Sequence, residues 1–405
     1  MKIRSLLLGS VAAAGLATTG FAADLGVVTA LDLCDEFSIS GLTISSDDNC
    51  LVITGGVTFE YSIGDYAPAA LVLHTDRVFN ETTIIDGDGT LESSADVDAW
   101  LKFVATADSD FGPATATIKL ISENNTGVSD WTVGIDEAWV GIGDTTMIMA
   151  GYKGSIFNDG DDAPLNYLGL FNSSDVDAGV GFATAGAVTG GDVIQVVSDL
   201  GNGVSVGGGL EGLGAVSGVL TGVGVISYAG EGISAHASFA ADNNSAWKAH
   251  AGFKGTWDPV TIVGAVSADD TGYWNALGSV SATFDIFTLA ASAESTSEGE
   301  WGVGGSIAAT VTEGVTLNIG GRYFDDNPLD TGWQVEAGVS AAVTETITLT
   351  AAAGAIDSGH LGGTVFYGKG GLAWAPGGGF DLAVNGEANT LGGYKGTFKA
   401  SKSIK

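Results

Sequence analysis

Few side chains in this sequence could do chemistry, and those that could are charged rather than nucleophilic. Its 405 residues hold 48 Asp and Glu against 14 Lys and Arg, a formal net charge of −34. The stretch Gly154–Gly191 carries Asp159, Asp161, Asp162, Asp175 and Asp177. Basic residues are so few that their placement is informative: Lys102, Lys119, Lys395 and Lys399 all fall in segments of alternating residue type. Fixed charges of this kind orient and sort ions and polar solutes. The four histidines, His74, His236, His250 and His360, lack metal-ligand spacing. There is no Gly-x-Ser-x-Gly elbow, no His-Glu-x-x-His and no phosphate loop. Asp86-Gly87-Asp88-Gly89 begins like a calcium loop but lacks the glycine at its sixth position and the glutamate at its twelfth. Nothing supports an enzyme, a cofactor or a resident metal. Basic clusters for phosphate are missing, which excludes a nucleic-acid partner.

The elements that hold these charges follow from the rest of the chain. Met1–Arg4 is a short basic start, Ser5–Ala17 is apolar, and Gly20-Phe21-Ala22 offers small residues at −3 and −1 of a cleavage site. Residues 1–22 therefore read as a signal peptide cut between Ala22 and Ala23. Its removal leaves twelve basic residues against the 48 acids. Export makes a disulfide chemically accessible. Cys34 and Cys50, the two cysteines, lie in the segment 23–50, ahead of the first strong strand. As an even pair in an exported chain they are expected to close a small loop; two unpaired buried thiols are the alternative.

Beyond the leader no run of about 20 apolar residues exists to make a helical span. Mean hydropathy is nevertheless +0.29, and the period is two. In Leu51–Ser62, Leu51, Ile53, Gly55, Val57, Phe59 and Tyr61 oppose Val52, Thr54, Gly56, Thr58, Glu60 and Ser62. Val97–Ala107 and Ala114–Ile121 repeat the pattern, with Lys102 and Lys119 on their polar sides. Short polar turns (Asp108–Pro113, Gly143–Thr145, Asp199–Gly203, Asp258-Pro259, Val311–Gly314) alternate with longer acidic connections (Asp86–Asp96, Glu123–Asp130, Gly154–Gly191, Asp269–Tyr273, Glu294–Glu300, Asp325–Thr331). Trp247–Ala268, Trp301–Phe324 and Trp333–Ile356 share one hairpin form. The pattern yields about twenty candidate strands.

The faces carrying Ala, Val, Leu, Phe and Gly suit lipid. The opposite faces carry Thr, Ser, Asp, Glu and Lys, which no packed core accommodates but a water-filled interior does. Backbone groups in lipid must all be paired, so the sheet must close on itself. Residues 51–405 are thus expected to form one transmembrane barrel. Trp100, Trp131, Trp247, Trp301, Trp333 and Tyr394 are candidates for its interfacial girdles.

Several segments resemble the outer-membrane porins of alphaproteobacteria. They are the leader Lys2–Ser10, the run from Leu33-Cys34-Asp35 through Asn49-Cys50 to Val57, and the stretch Asp136–Gly143 with Ala150–Lys153 and Ser155-Ile156-Phe157. Val193–Leu210 and Trp247–Ala268 resemble later hairpins of that family. The resemblance implies a homotrimer in a Gram-negative outer membrane. Each barrel, usually of sixteen strands, would pass small hydrophilic solutes and ions. It also implies that Gly154–Gly191 folds into the lumen as a constriction loop. Two features depart from it. The candidate strands exceed sixteen, giving an expected 16–18, and the chain ends Ser401–Lys405 where such barrels end in an aromatic residue.

In Tyr394–Ser401, Lys395 and Lys399 alternate onto the inner face. Closure pairs the last strand with the first, so these two are expected near Lys102 and Lys119, forming a basic wall across from the acidic loop. The acid excess predicts mild cation preference. Two other readings share the leader and composition: a secreted or surface-attached adhesive β-protein, and a closed barrel that does not conduct.

Overall fold

A computed structural model of the chain describes residues 34, 41–46, 49–66, 69–72, 83–124, 132–158, 163–170, 180–183, 186–214, 218–326 and 330–404. Among them no helix is long and apolar enough to cross a membrane. The chain is built from strands. In order they are β1 (Leu42–Ser45), β2 (Cys50–Asp65), β3 (Ala69–Val72), β4 (Thr83–Asp86), β5 (Glu92–Ala107), β6 (Ala114–Asn124), β7 (Thr132–Gly143) and β8 (Thr146–Lys153). Then follow β9 (Gly191–Gly201), β10 (Val204–Glu211), β11 (Thr221–Gly230), β12 (Ile233–Asp242), β13 (Trp247–Trp257), β14 (Val260–Asp269), β15 (Trp274–Phe284) and β16 (Phe287–Thr296). The last are β17 (Trp301–Thr312), β18 (Val315–Asp326), β19 (Asp330–Ala342), β20 (Ile347–Ser358), β21 (Val365–Gly377), β22 (Phe380–Asn389) and β23 (Tyr394–Ile404).

Strand β2 and strands β5 to β23 each pair antiparallel with two neighbours, and β2 pairs with both β5 and β23, so the sheet closes as a barrel of twenty strands. The class is the expected all-β closed barrel. The number is not the expected 16–18, which leaned on the family's usual sixteen; alternation alone points to about twenty. Strands about 4.8 Å apart and tilted about 40° give a backbone radius near 20 Å for twenty strands. Side chains alone cannot fill that bore, which leaves room for water or for an inserted segment.

The non-aromatic end does close the barrel. β23 pairs with β2 from Tyr394↔Asp65 to Ile404↔Gly55. Beyond Ile404 the same edge of β2 is taken up by β1, from Leu42↔Ile53 to Ser45↔Cys50. Cys50 is tied there to Cys34 by a disulfide, with Cα atoms 5.0 Å apart. Together β1 and β23 leave little of β2's edge unpaired, as lipid requires.

One rim carries tight turns and both ends of the barrel sheet. The turn after β9 is Asn202-Gly203, with φ of 53° and 81°. Positive φ at both central residues is the two-residue hairpin geometry that matches strand twist, and Asn-Gly adopts it readily. The other rim carries the longer connections, including 66–91 with the β3–β4 hairpin and 154–190. Outward aromatics form two belts. Trp274, Trp301, Trp333 and Tyr394 lie toward the long-loop rim, and Tyr228, Trp257, Phe284, Phe287 and Trp374 toward the tight-turn rim; all are exposed. On β13 the belts are marked by Trp247 and Trp257. Ten residues at about 3.3 Å each, tilted about 40°, span roughly 25 Å, the height of an outer-membrane apolar band. Trp100 is the exception among the girdle candidates. It sits opposite Gly56 and Ile121 on the inner face, with Lys119 Nζ 5.9 Å from its ring centre. Mid-strand position and face parity put it in the lumen; Trp131 lies outside the described residues.

Candidate functional site: a loop laid along the inner wall

The connection 154–190 leaves β8 and enters the barrel. On its way out Ile156 N donates to Glu211 Oε1 of β10 (3.1 Å), Asn158 N to Ser238 Oγ of β12 (3.1 Å) and Leu165 N to Ser279 Oγ of β15 (2.8 Å). Its tip continues along the wall: Tyr167 N donates to Ser306 Oγ of β17 (3.0 Å), and the Leu168 carbonyl accepts from Arg322 Nη1 of β18 (2.8 Å). On its way back the Gly181 carbonyl accepts from Ser267 Oγ, and Ala183 N donates to Asp269 Oδ2 (2.9 Å). Gly190 N closes the circuit on Glu211 Oε2 at 2.6 Å. Serine hydroxyls and carboxylates of the wall thus satisfy loop backbone groups that water would otherwise have to meet.

Apolar contacts hold the underside. Leu170 and Val180 pack with Val263, Ala265 and Leu277; Phe157 and Ala187 pack with Val223 and Ala240. Burying Leu170 and Val180 favours the docked loop by about 1.5–3 kcal/mol each. The tip seats where the wall has no side chains. A Cβ at Gly304 would lie 2.6 Å from Asn166 Nδ2 and 3.1 Å from the Gly169 carbonyl oxygen, and one at Gly320 would lie 3.1 Å from the Tyr167 ring.

A polar latch completes the seat. Tyr167 OH donates to Glu336 Oε1 of β19 (2.7 Å). The same carboxylate accepts from Tyr367 OH (2.7 Å) and pairs with Lys369 Nζ (2.9 Å). Arg322 Nε donates to Gln334 Oε1 (2.8 Å), and Gln334 Nε2 to Tyr367 OH (2.6 Å). Burial, reinforced by the bond to Glu336, pushes the Tyr167 phenol above its ordinary range.

The loop covers the wall from β10 to β19, which identifies that face as the lumen face. Cross-strand register carries the assignment around the barrel. Lys102, Lys119, Lys153, Lys248, Lys254, Arg322, Lys369, Lys395 and Lys399 all take it. Lys248 is buried under the loop, with Nζ 4.8 Å from the Phe157 ring centre and 5.7 Å from that of Phe182. Among the described residues, the loop does not cover the arc from β20 through β23 and β2 to β7.

Of the four lysines singled out in the sequence, Lys102 and Lys119 are direct cross-strand partners. Lys395 and Lys399 lie on the same inner face but not beside them. Lys399 is level with Glu60 and Lys102 with Thr54, six residues along β2, or about 20 Å. The expected closeness fails because closure sets β23 against β2 in that register. Three of the four are neutralised by the wall itself: Lys102 pairs with Glu137 (3.0 Å), Lys119 with Asp136 (2.5 Å) and Lys399 with Glu60 (3.3 Å). Asp159, Asp161, Asp162, Asp175 and Asp177 lie outside the described residues. The sequence reading missed Tyr167, Glu336, Arg322 and the glycine seat. Their signal was there only in part, as inward-facing charged residues on strands that also carry inward glycines.

Against the open arc lies a cavity of about 460 Å³. Tyr167 bounds it from the loop, and Asn318, Glu336, Lys369, Asn385, Glu387, Lys395 and Thr397 from the wall. A closed barrel narrowed from within and still polar on one side is a pore. The family model described as the porin subfamily matches residues 28–365. The chain belongs to the porin subfamily. It is an outer-membrane porin of a Gram-negative bacterium, and the adhesive reading finds no support. Comparison with curated proteins finds no match. Among solved structures, a triple mutant of Rhodopseudomonas blastica porin is similar at 12% identity, covering 87% of this chain and 99% of that chain, with a TM-score of 0.39. A loop L8 deletion mutant of OmpT, an outer membrane protein of Vibrio cholerae, is similar at 10% identity, covering 88% and 100%, with a TM-score of 0.35.

Proposed function

We propose that this porin passes small hydrophilic solutes and ions by passive diffusion, along the open arc between the docked loop and strands β20–β23, β2 and β5–β7. The observation that carries this reading is the one-sided placement of the loop, whose described residues lie along β10–β19 and leave beside Tyr167 a cavity of about 460 Å³ that runs from β18 and β19 to β23 and carries Glu336, Lys369, Glu387 and Lys395 on its wall. In this reading Asp159, Asp161, Asp162, Asp175 and Asp177 line the loop side of the passage, while Lys102, Lys119, Lys395 and Lys399 line the wall. The wall lysines are largely matched by wall acids, so the loop acids set a mild cation preference; charge farther than about 8–10 Å away is screened at physiological salt. Proteoliposomes tested with neutral sugars of increasing size check the reading. Influx that falls steeply with size supports it, and no influx of even the smallest sugar overturns it.

Export by cleavage between Ala22 and Ala23 belongs to the same proposal, and an amino terminus other than Ala23 in the purified protein would correct it. So does a homotrimer. The outer face carries an apolar depression of about 450 Å³ lined by Ala105, Ala114, Ala116, Val140, Ile142 and Ile148, which suits packing against a second copy. Native mass measurement in detergent decides, a monomer being the contrary result.

A further inference from the structure

One pair of opposite charges in the open cavity is left unbridged. Glu387 on β22 and Lys395 on β23 are direct cross-strand partners on the lumen face. Such partners have Cβ atoms about 4.5–5.5 Å apart, close enough for two long side chains to meet. They do not meet: among the described residues neither forms an ion pair, whereas Lys102, Lys119, Lys369 and Lys399 all do. Lys395 is turned toward the rim, its Nζ 5.0 Å from the centre of the Tyr66 ring. Glu387 is exposed to the cavity. Its other cross-strand partner, Lys369, is committed to Glu336 at 2.9 Å. One step along the same faces, Asn385 and Thr397 oppose each other and add amide and hydroxyl groups.

An unbridged carboxylate and ammonium on neighbouring strands form a gap that complements a small molecule carrying both charges. A lone cation meets Lys395 as well as Glu387, and a lone anion meets Glu387 as well as Lys395. A zwitterion satisfies both. We propose that Glu387 and Lys395 form a subsite in the pore for small zwitterions of the α-amino acid type, the solute's ammonium on Glu387 and its carboxylate on Lys395. Asn385 and Thr397 supply hydrogen bonds beside it. The proposal rests on the diffusion-pore reading and names a solute class for it.

Glycine and its uncharged isomer glycolamide have the same atoms and nearly the same size, so a plain sieve treats them alike. Uptake of each, radiolabelled and at sub-millimolar concentration, is measured in proteoliposomes of the full-length protein. Two solvent-exposed charge contacts of ordinary strength give glycine an advantage of about two- to five-fold. The variants Glu387→Gln and Lys395→Met bring the ratio to about one. A wild-type ratio of one, or a ratio that neither substitution moves, overturns the subsite. Should a single variant fail to insert, the exchange variant E387K/K395E keeps the pair's net charge; retention of the glycine advantage supports the pairing and its loss overturns it. Failure of the pore reading is distinct, because then neither isomer enters faster than it enters protein-free liposomes.

Discussion

Replacing Tyr167 by Phe removes one hydroxyl from the seat of the loop and leaves the ring in place. That hydroxyl donates to Glu336 at 2.7 Å, and a bond to a charged acceptor contributes about 1.5–3 kcal/mol. The low end applies. Glu336 keeps Tyr367 and Lys369 as partners, so its carboxylate is not orphaned, and Tyr167 is 38% exposed, so water partly replaces the lost contact. A loss of about 1.4 kcal/mol raises the undocked population of the tip about tenfold. The tip remains docked most of the time, because Arg322 still holds Leu168 and Leu170 remains fully buried. Single-channel recording reads this directly. The main conductance should be unchanged, while brief excursions to a larger conductance should become about ten times more frequent. Excursions no more frequent than in the wild type would refute the latch. A uniformly larger conductance would refute the claim that other contacts keep the tip seated.

Four further outcomes are expected. Gly320→Leu places a side chain where the Tyr167 ring lies 3.1 Å from a Cβ; it should lift the tip and raise the main conductance itself, with an unchanged conductance as the contrary finding. Lys102→Ala leaves Glu137 without its 3.0 Å partner, and Lys399→Ala does the same to Glu60. Each should raise the cation-to-anion permeability ratio in a salt gradient, by up to about five-fold, since a unit charge in water is worth ~1 kcal/mol at 4 Å. Cys34→Ser with Cys50→Ser opens a link of sequence separation 16; it should cost ~3 kcal/mol of stability, seen as a lower unfolding temperature, and leave conductance unchanged. Finally, the Tyr167 phenol is shifted upward, so the neutral, donating form persists. Its contribution should be fully present below the unfolded tyrosine value of about 10 and lost as pH rises through the higher folded value. A rise in excursions already at pH 8 would contradict this.

How far the sequence could be read depended on what strand periodicity encodes. Alternation in Leu51–Ser62 places Glu60 inward and Phe59 outward, and the structure has them so, with Phe59 exposed and Glu60 paired to Lys399 across the lumen face. Alternation is silent about register. A slip of two residues keeps every side chain on its face while moving it about 7 Å along the strand. Alternation therefore puts Lys102 and Lys399 on the right face but not at their heights, which register sets six residues apart along β2. The shift of pairing between Lys119 and Leu120 adds to this, since it brings Asp136 as well as Glu137 within reach of the wall lysines. Trp100 shows a different limit. Aromatics suit a girdle, but inward parity decided against it. The latch was the least legible part, because Tyr167 and Glu336 are 169 residues apart and only the path of the loop brings them together.

A porin of this build conducts through a water-filled path beside a loop that narrows it from one side. Planar-bilayer recording on the purified protein tests it most directly. Discrete conductance steps that scale with bulk salt conductivity and favour cations mildly in a gradient are expected. Insertion without any steps would contradict it.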